Sequence, residues 1–177
     1  MIRFKLVIMI AGLSLFFAAC NQANNKNTSS EKDSIKSQDT LAVLKDNITQ
    51  QVYKHYNHLK DALVSSDSAE AKKAGNELAE ALGQIKGCES TAMVAKKIGS
   101  STNINDQRAD FIPLSSDIIA LIKHTEISSG KIYVQYCPMA DNNKGAYWLS
   151  SASEIKNPYY GDEMLNCGET KEEIKKK

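Results

Sequence analysis

Large apolar residues recur every three or four positions through Leu41, Leu44, Ile48, Val52, Tyr56, Leu59 and Leu63. That spacing predicts an amphipathic helix of about six turns with one apolar stripe. Ser65 to Asp67 interrupts it, and Asp67 with Glu70 three residues later reads as the capped start of a second helix. Ala71, Ala74, Leu78, Leu82 and Ile85 form the second stripe, and Gly87 closes it. The alanines predict close approach to a neighbouring helix. Ser90 to Ile98 predicts a short third helix, stopped by Gly99. A fourth is capped by Asp106, with Phe111, Leu114, Ile118, Leu121 and Ile122 on its core face. Pro113 inside that pattern predicts a kink or a helix start. Short loops between successive helices favour antiparallel neighbours, hence a bundle.

After Ser128-Ser129-Gly130 the period changes. Lys131 to Tyr136 and Gly145 to Leu149 alternate and are rich in β-formers, with a turn-forming loop from Ala140 to Lys144 between them. Five of the seven tyrosines and the one tryptophan fall in this C-terminal part, which predicts a small aromatic subcore anchored by Trp148. Asn157-Pro158-Tyr159-Tyr160-Gly161 reads as structural: Pro158 sets a turn and Gly161 supplies a backbone angle other residues avoid. The tail from Lys171 to Lys177, interleaved with Glu172 and Glu173, reads as a solvated helix end. The fold class expected is mainly α with a small β part (α+β): an antiparallel helical bundle, then a β-hairpin and an ordered C-terminal loop.

Ahead of this domain, Arg3 and Lys5 precede an apolar run from Leu6 to Ala19 that ends in small residues before Cys20. The layout is that of a secretory signal, and the run is short for a membrane span. Phe17-Ala18-Ala19-Cys20 resembles the bacterial lipobox, which implies a lipid on Cys20. Residues 1–20 are thus expected to be a lipoprotein signal peptide. Residues 21–40, polar apart from Ile35, are expected to be a flexible tether. Residues 41–177 are expected to form one domain. The expected place is the cell envelope of a Gram-negative bacterium, lipid-anchored and facing the periplasm.

Lys and Arg number 22 against 21 for Asp and Glu, so no electrostatic case exists for nucleic acid. No phosphate-binding glycine loop, zinc-protease motif, nucleophile elbow or haem-attachment motif occurs, and the expectation is a protein that is not an enzyme.

The chemistry concentrates in two short pieces, Cys137-Pro138-Met139 and Met164-Leu165-Asn166-Cys167-Gly168. Each pairs a thiol with a thioether, the donor set that Cu(I) and Ag(I) select. Continued strand geometry would set Cys137 and Met139 on one face, and a helical turn would align Met164 with Cys167. Cys137, Met139, Met164 and Cys167 are therefore candidate metal donors. A Cys137–Cys167 disulfide is the alternative, ordinary in an oxidising compartment. Cys88 reads as a small core hydrophobe. His55 and His58, one turn apart on the first helix, could share an ion, but His55 faces away from the apolar stripe and solvated histidines are the reading preferred; His124 is a possible extra ligand.

These C-terminal motifs, with Tyr133 to Ala140, Gly145 to Ser150 and Ile155 to Asp162, resemble an uncharacterised domain of bacterial lipoproteins. The same domain is appended to periplasmic adaptor subunits of copper/silver-type heavy-metal efflux systems. Tyr56, Leu59, Leu63, Asp67, Leu78, Arg108 and Phe111 are similar to its helical half. Where its members often carry a histidine close before Cys-Pro-Met, this chain has Gln135 and Tyr136. The resemblance implies a link to copper or silver handling and a possible efflux-adaptor partner.

Overall fold

The computed structural model describes residues 41–176; the expected signal peptide with Cys20 and the expected tether, residues 1–40, lie outside them. The first helix is shorter than its periodicity predicts. Val43–Leu44 is instead a short strand, β1, and α1 runs Asn47–Val64. Asp46 makes the break: its carboxylate accepts the Thr49 N–H at 2.7 Å, capping the first turn. Ile48, expected in the apolar stripe, is exposed, whereas Val52, Tyr53, Tyr56, Leu59 and Leu63 are buried.

Helix α2 spans Ser68–Leu82, with the Asp67 side chain accepting from the Glu70 N–H. It stops at Leu82 rather than at Gly87, and Ile85 packs on the core from the following turn. Helices α3 (Glu89–Ile98) and α4 (Ile104–Lys123) follow, and Asn103 rather than Asp106 caps the latter. Pro113 sits within α4, which continues past it; the proline takes away only the donor that would have bonded the Ala109 carbonyl.

β1 pairs antiparallel with β2 (Ile127–Ser129), so the chain entering α1 is tied to the chain leaving α4. Next come β3 (Lys131–Cys137) and β4 (Ala146–Ser150), the expected hairpin, with Gln135 opposite Trp148 and Cys137 opposite Ala146. The loop at Ala140–Asn143 is a left-handed turn with φ of 50°, 56° and 66° at Asp141, Asn142 and Asn143, residue types that tolerate this region.

The charged tail is the main correction. Glu169–Lys175 is a third strand, β5, antiparallel to β3, so the sheet order is β4-β3-β5. Lys131 pairs with Glu173 at 3.0 Å and Lys123 with Glu172 at 2.5 Å. Such charges suit an exposed edge strand, where they discourage pairing with another chain.

Helices and sheet share one core. The Tyr56 ring stacks on Phe111 at 5.2 Å between centroids, Phe111 meets Tyr159 at 5.9 Å, and Tyr159 meets Trp148 edge-on at 5.8 Å. Each such pair adds about 0.5–1.5 kcal/mol to the burial of its area. The Tyr56 hydroxyl accepts the Leu149 N–H at 3.0 Å and lies 2.8 Å from Ser115 Oγ, joining α1, α4 and β4 at one oxygen.

Candidate functional site

The β3–β5 register brings the two cysteine motifs together. Tyr136 lies opposite Glu169, so the chain reaches Cys137 just where Cys167 and Gly168 enter β5. Gly168 takes φ of +147°, and a side chain there would sit 2.8 Å from the Tyr136 carbonyl and 2.9 Å from the Trp148 ring. That close passage sets Cys167 Sγ 3.6 Å from Cys137 Sγ. The separation is far longer than an S–S bond of about 2.05 Å, and it matches two thiols sharing a proton. The hydrogen bond with Cys137 raises the proton affinity of the Cys167 thiol, with burial and the charge of Cys137 adding to it.

Asn157 holds the loop that carries Cys167. Fully buried, it donates through Nδ2 to the Cys167 carbonyl at 2.9 Å and accepts the Tyr159 N–H at 2.9 Å. Its own N–H donates to Leu165 O at 2.8 Å. Arg108, from α4, clamps the next turn, donating from Nε to Pro158 O at 3.1 Å and from Nη2 to Leu63 O at 3.0 Å and Ser66 Oγ at 2.8 Å. Tyr159 closes the other side by donating to Tyr147 O at 2.5 Å.

The methionines are placed differently from the cysteines. β3 ends at Cys137, and Met139 has turn geometry (φ −86°, ψ −15°). The strand alternation expected to align it with Cys137 therefore does not extend that far. Cys137 is buried and Met139 is 41% exposed; the Met139 carbonyl accepts the Tyr160 hydroxyl at 2.7 Å. Met164 follows a short 3-10 turn at Gly161–Glu163 rather than lying in a helical turn with Cys167. Its carbonyl accepts the Cys167 N–H at 3.0 Å. Each methionine thus lies two or three residues from a cysteine on a hydrogen-bonded turn. Trp148 is fully buried and so lines no aromatic surface groove, and Cys88 packs half-buried on the helical core.

A second cluster joins α1 to α2. His55 Nδ1 and His58 Nδ1 lie 3.2 Å and 3.3 Å from the same oxygen, Glu77 Oε2, and His58 Nε2 lies 2.7 Å from Glu70 Oε1. The donor atoms of His55, His58 and Glu77 all fall within 4.8 Å of one another, close enough to hold a metal ion. The expectation of solvated histidines is corrected here: both are half-buried and engaged. The i,i+3 spacing of the histidines was visible in sequence. Their acidic partners, on another helix, were not.

Residues 52–130, from α1 to the turn before β3, match the model of a family described as a protein of unknown function (DUF3347). The matched segment is similar to an uncharacterised domain and contains His55, His58 and Glu77, while Cys137 and Cys167 lie beyond it. Neither curated proteins nor solved structures give a match. Among the described residues, no helix is long and apolar enough to cross a membrane.

Proposed function

We propose that this protein binds Cu(I) or Ag(I) at the cell envelope and buffers the ion or hands it to a heavy-metal efflux adaptor. In this reading the lipid on Cys20 anchors it to the membrane, facing the periplasm. Cys137 and Cys167 supply thiolates, and Met139 and Met164 supply thioethers from the turns beside them. The observation that carries it is the 3.6 Å approach of two thiols from segments 30 residues apart. A soft ion replaces the shared proton and the second thiol proton, and both sulfurs are already in place to receive it. Release is ligand exchange, one sulfur at a time, with the half-exposed Met139 offering the first point of contact to an acceptor. No covalent bond to substrate is made or broken.

The test is an anaerobic Cu(I) titration of the reduced protein against a chromophoric Cu(I) chelator. One equivalent held against the chelator, and lost in the Cys137→Ser, Cys167→Ser variant, is the expected result. Equal Cu(I) affinity in parent and variant would refute the donor assignment.

The same approach of Cys137 to Cys167 also favours a second reading, a disulfide that staples β3 to the C-terminal loop. In the chain-entropy model it would stabilise by about 3–4 kcal/mol. Protein isolated without reductant would then yield neither thiol to alkylation after unfolding, and the protein would serve as a structural or interaction module.

A further inference from the structure

We propose that His55, His58 and Glu77 form a second cation site, for a borderline divalent ion of the Zn2+ type, chemically distinct from the sulfur pair. Tetrahedral zinc with bonds of about 2.0–2.1 Å has donor–donor edges of about 3.3–3.4 Å. The edges from Glu77 Oε2 to His55 Nδ1 and to His58 Nδ1 are 3.2 Å and 3.3 Å. The helix geometry produces this spacing: residues three apart on α1 share a face, and Glu77 projects from the antiparallel α2 between them.

His58 carries the stronger sign. Its Nδ1 faces Glu77 and its Nε2 lies 2.7 Å from Glu70 Oε1. A neutral imidazole has one ring proton and cannot donate to both carboxylates. Either a second ring proton or a metal cation satisfies the arrangement; with a cation, Nε2–H stays on Glu70, while Nδ1 and Glu77 Oε2 bind the ion. That is the carboxylate–histidine–metal relay by which outer carboxylates orient metal-bound imidazoles. Glu70 is itself held by a neighbour, since Lys73 Nζ donates to its Oε1 at 3.1 Å.

One carboxylate and two neutral imidazoles leave a fourth position for water. The groove between the two helices, lined by Gln51, His55, Glu77 and Glu80, opens there to solvent and gives the ion a path in. Imidazole and carboxylate select Zn2+ or Cu2+ over Cu(I), the reverse of the cysteine–methionine set. The site stands whether or not the sulfur pair binds metal.

The experiment is a titration of the full chain in detergent with Zn2+ alone, read from the imidazole proton resonances, assigned with His55→Gln and His58→Gln. Only three histidines exist, and His124 serves as the internal control. The His55 and His58 signals are expected to shift together and saturate at one bound ion at micromolar or lower Zn2+. His124 stays still. Glu77→Gln weakens binding at least tenfold and Glu70→Gln by about 10–100-fold. Zinc taken by thiols leaves the imidazole signals untouched, and excess zinc fills both places. Signals of His55 and His58 unmoved by about millimolar Zn2+, or an affinity unchanged in Glu77→Gln, would overturn the proposal.

Discussion

The side-chain amide of Asn157 donates to the backbone carbonyl of Cys167 at 2.9 Å, so a residue with no solvent exposure sets where the second thiol lies. The sulfur pair is therefore a product of loop hydrogen bonding as much as of strand pairing. Replacing Asn157 by Ala should leave the Cys167 carbonyl and the Tyr159 N–H without their partner, at a cost of about 1–3 kcal/mol per unsatisfied buried group. Urea unfolding would measure the loss. Anaerobic Cu(I) competition on the folded fraction should show weakened binding, and unchanged affinity would mean that Asn157 does not position Cys167.

Tyr56 makes an equally checkable link between the helices and the sheet. Tyr56→Phe keeps the stacking on Phe111 but leaves the buried Leu149 N–H without an acceptor and Ser115 Oγ without its partner. A destabilisation of about 1–3 kcal/mol is expected in urea. Ser115→Ala in the same background should then cost little more, because both changes break one shared contact.

Gly161 has φ of +56°, and a methyl there would lie 2.7 Å from Ser66 Oγ and 2.9 Å from the Val64 carbonyl, and closer still to the Arg108 guanidinium. Gly161→Ala combines a left-handed backbone with a clash against the clamp that holds the C-terminal loop. The expected loss is at least about 1–3 kcal/mol. Thermal unfolding of the variant at the parent's melting temperature would contradict this account of the loop.

Burial holds the phenols of Tyr53, Tyr56 and Tyr159 protonated well above the usual value of 10.0. The folded state thus keeps protons that the unfolded chain releases. Their contribution to stability is full below about pH 10 and declines as pH rises further. Urea midpoints should be flat from about pH 8 to 9 and fall above about pH 10, in step with delayed phenolate absorbance. A midpoint constant to about pH 11.5 would show these tyrosines to ionise freely in the folded protein.

Helices α2 and α3 and the β3–β4 hairpin were legible because each carries its own period, although α2 ends at Leu82, ahead of the Gly87 expected to close it. Asp67 and Glu70 marked the start of α2, and the aromatic cluster around Trp148 followed from composition. The error at β1 had a readable remedy. Leu41 and Leu44 fit a helical spacing, but Asp46 with Thr49 is a capping pair that begins the helix later. β5 offered no such sign. Its Lys and Glu side chains face solvent, so no apolar alternation marks it, and only pairing with β3 makes it a strand.

By itself, the sequence determined the helical and strand periods, the near-neutral charge, and a chemistry divided between thiol–thioether motifs and a few histidines. Those properties are local, because backbone period and donor type are carried by neighbouring residues. The tertiary structure alone decided which donors meet. The β3–β5 register sets Cys137 against Cys167, Met139 leaves the strand, and the α1–α2 packing sets Glu77 between His55 and His58. Such contacts depend on packing between segments distant along the chain, and that information lies in no single window of it.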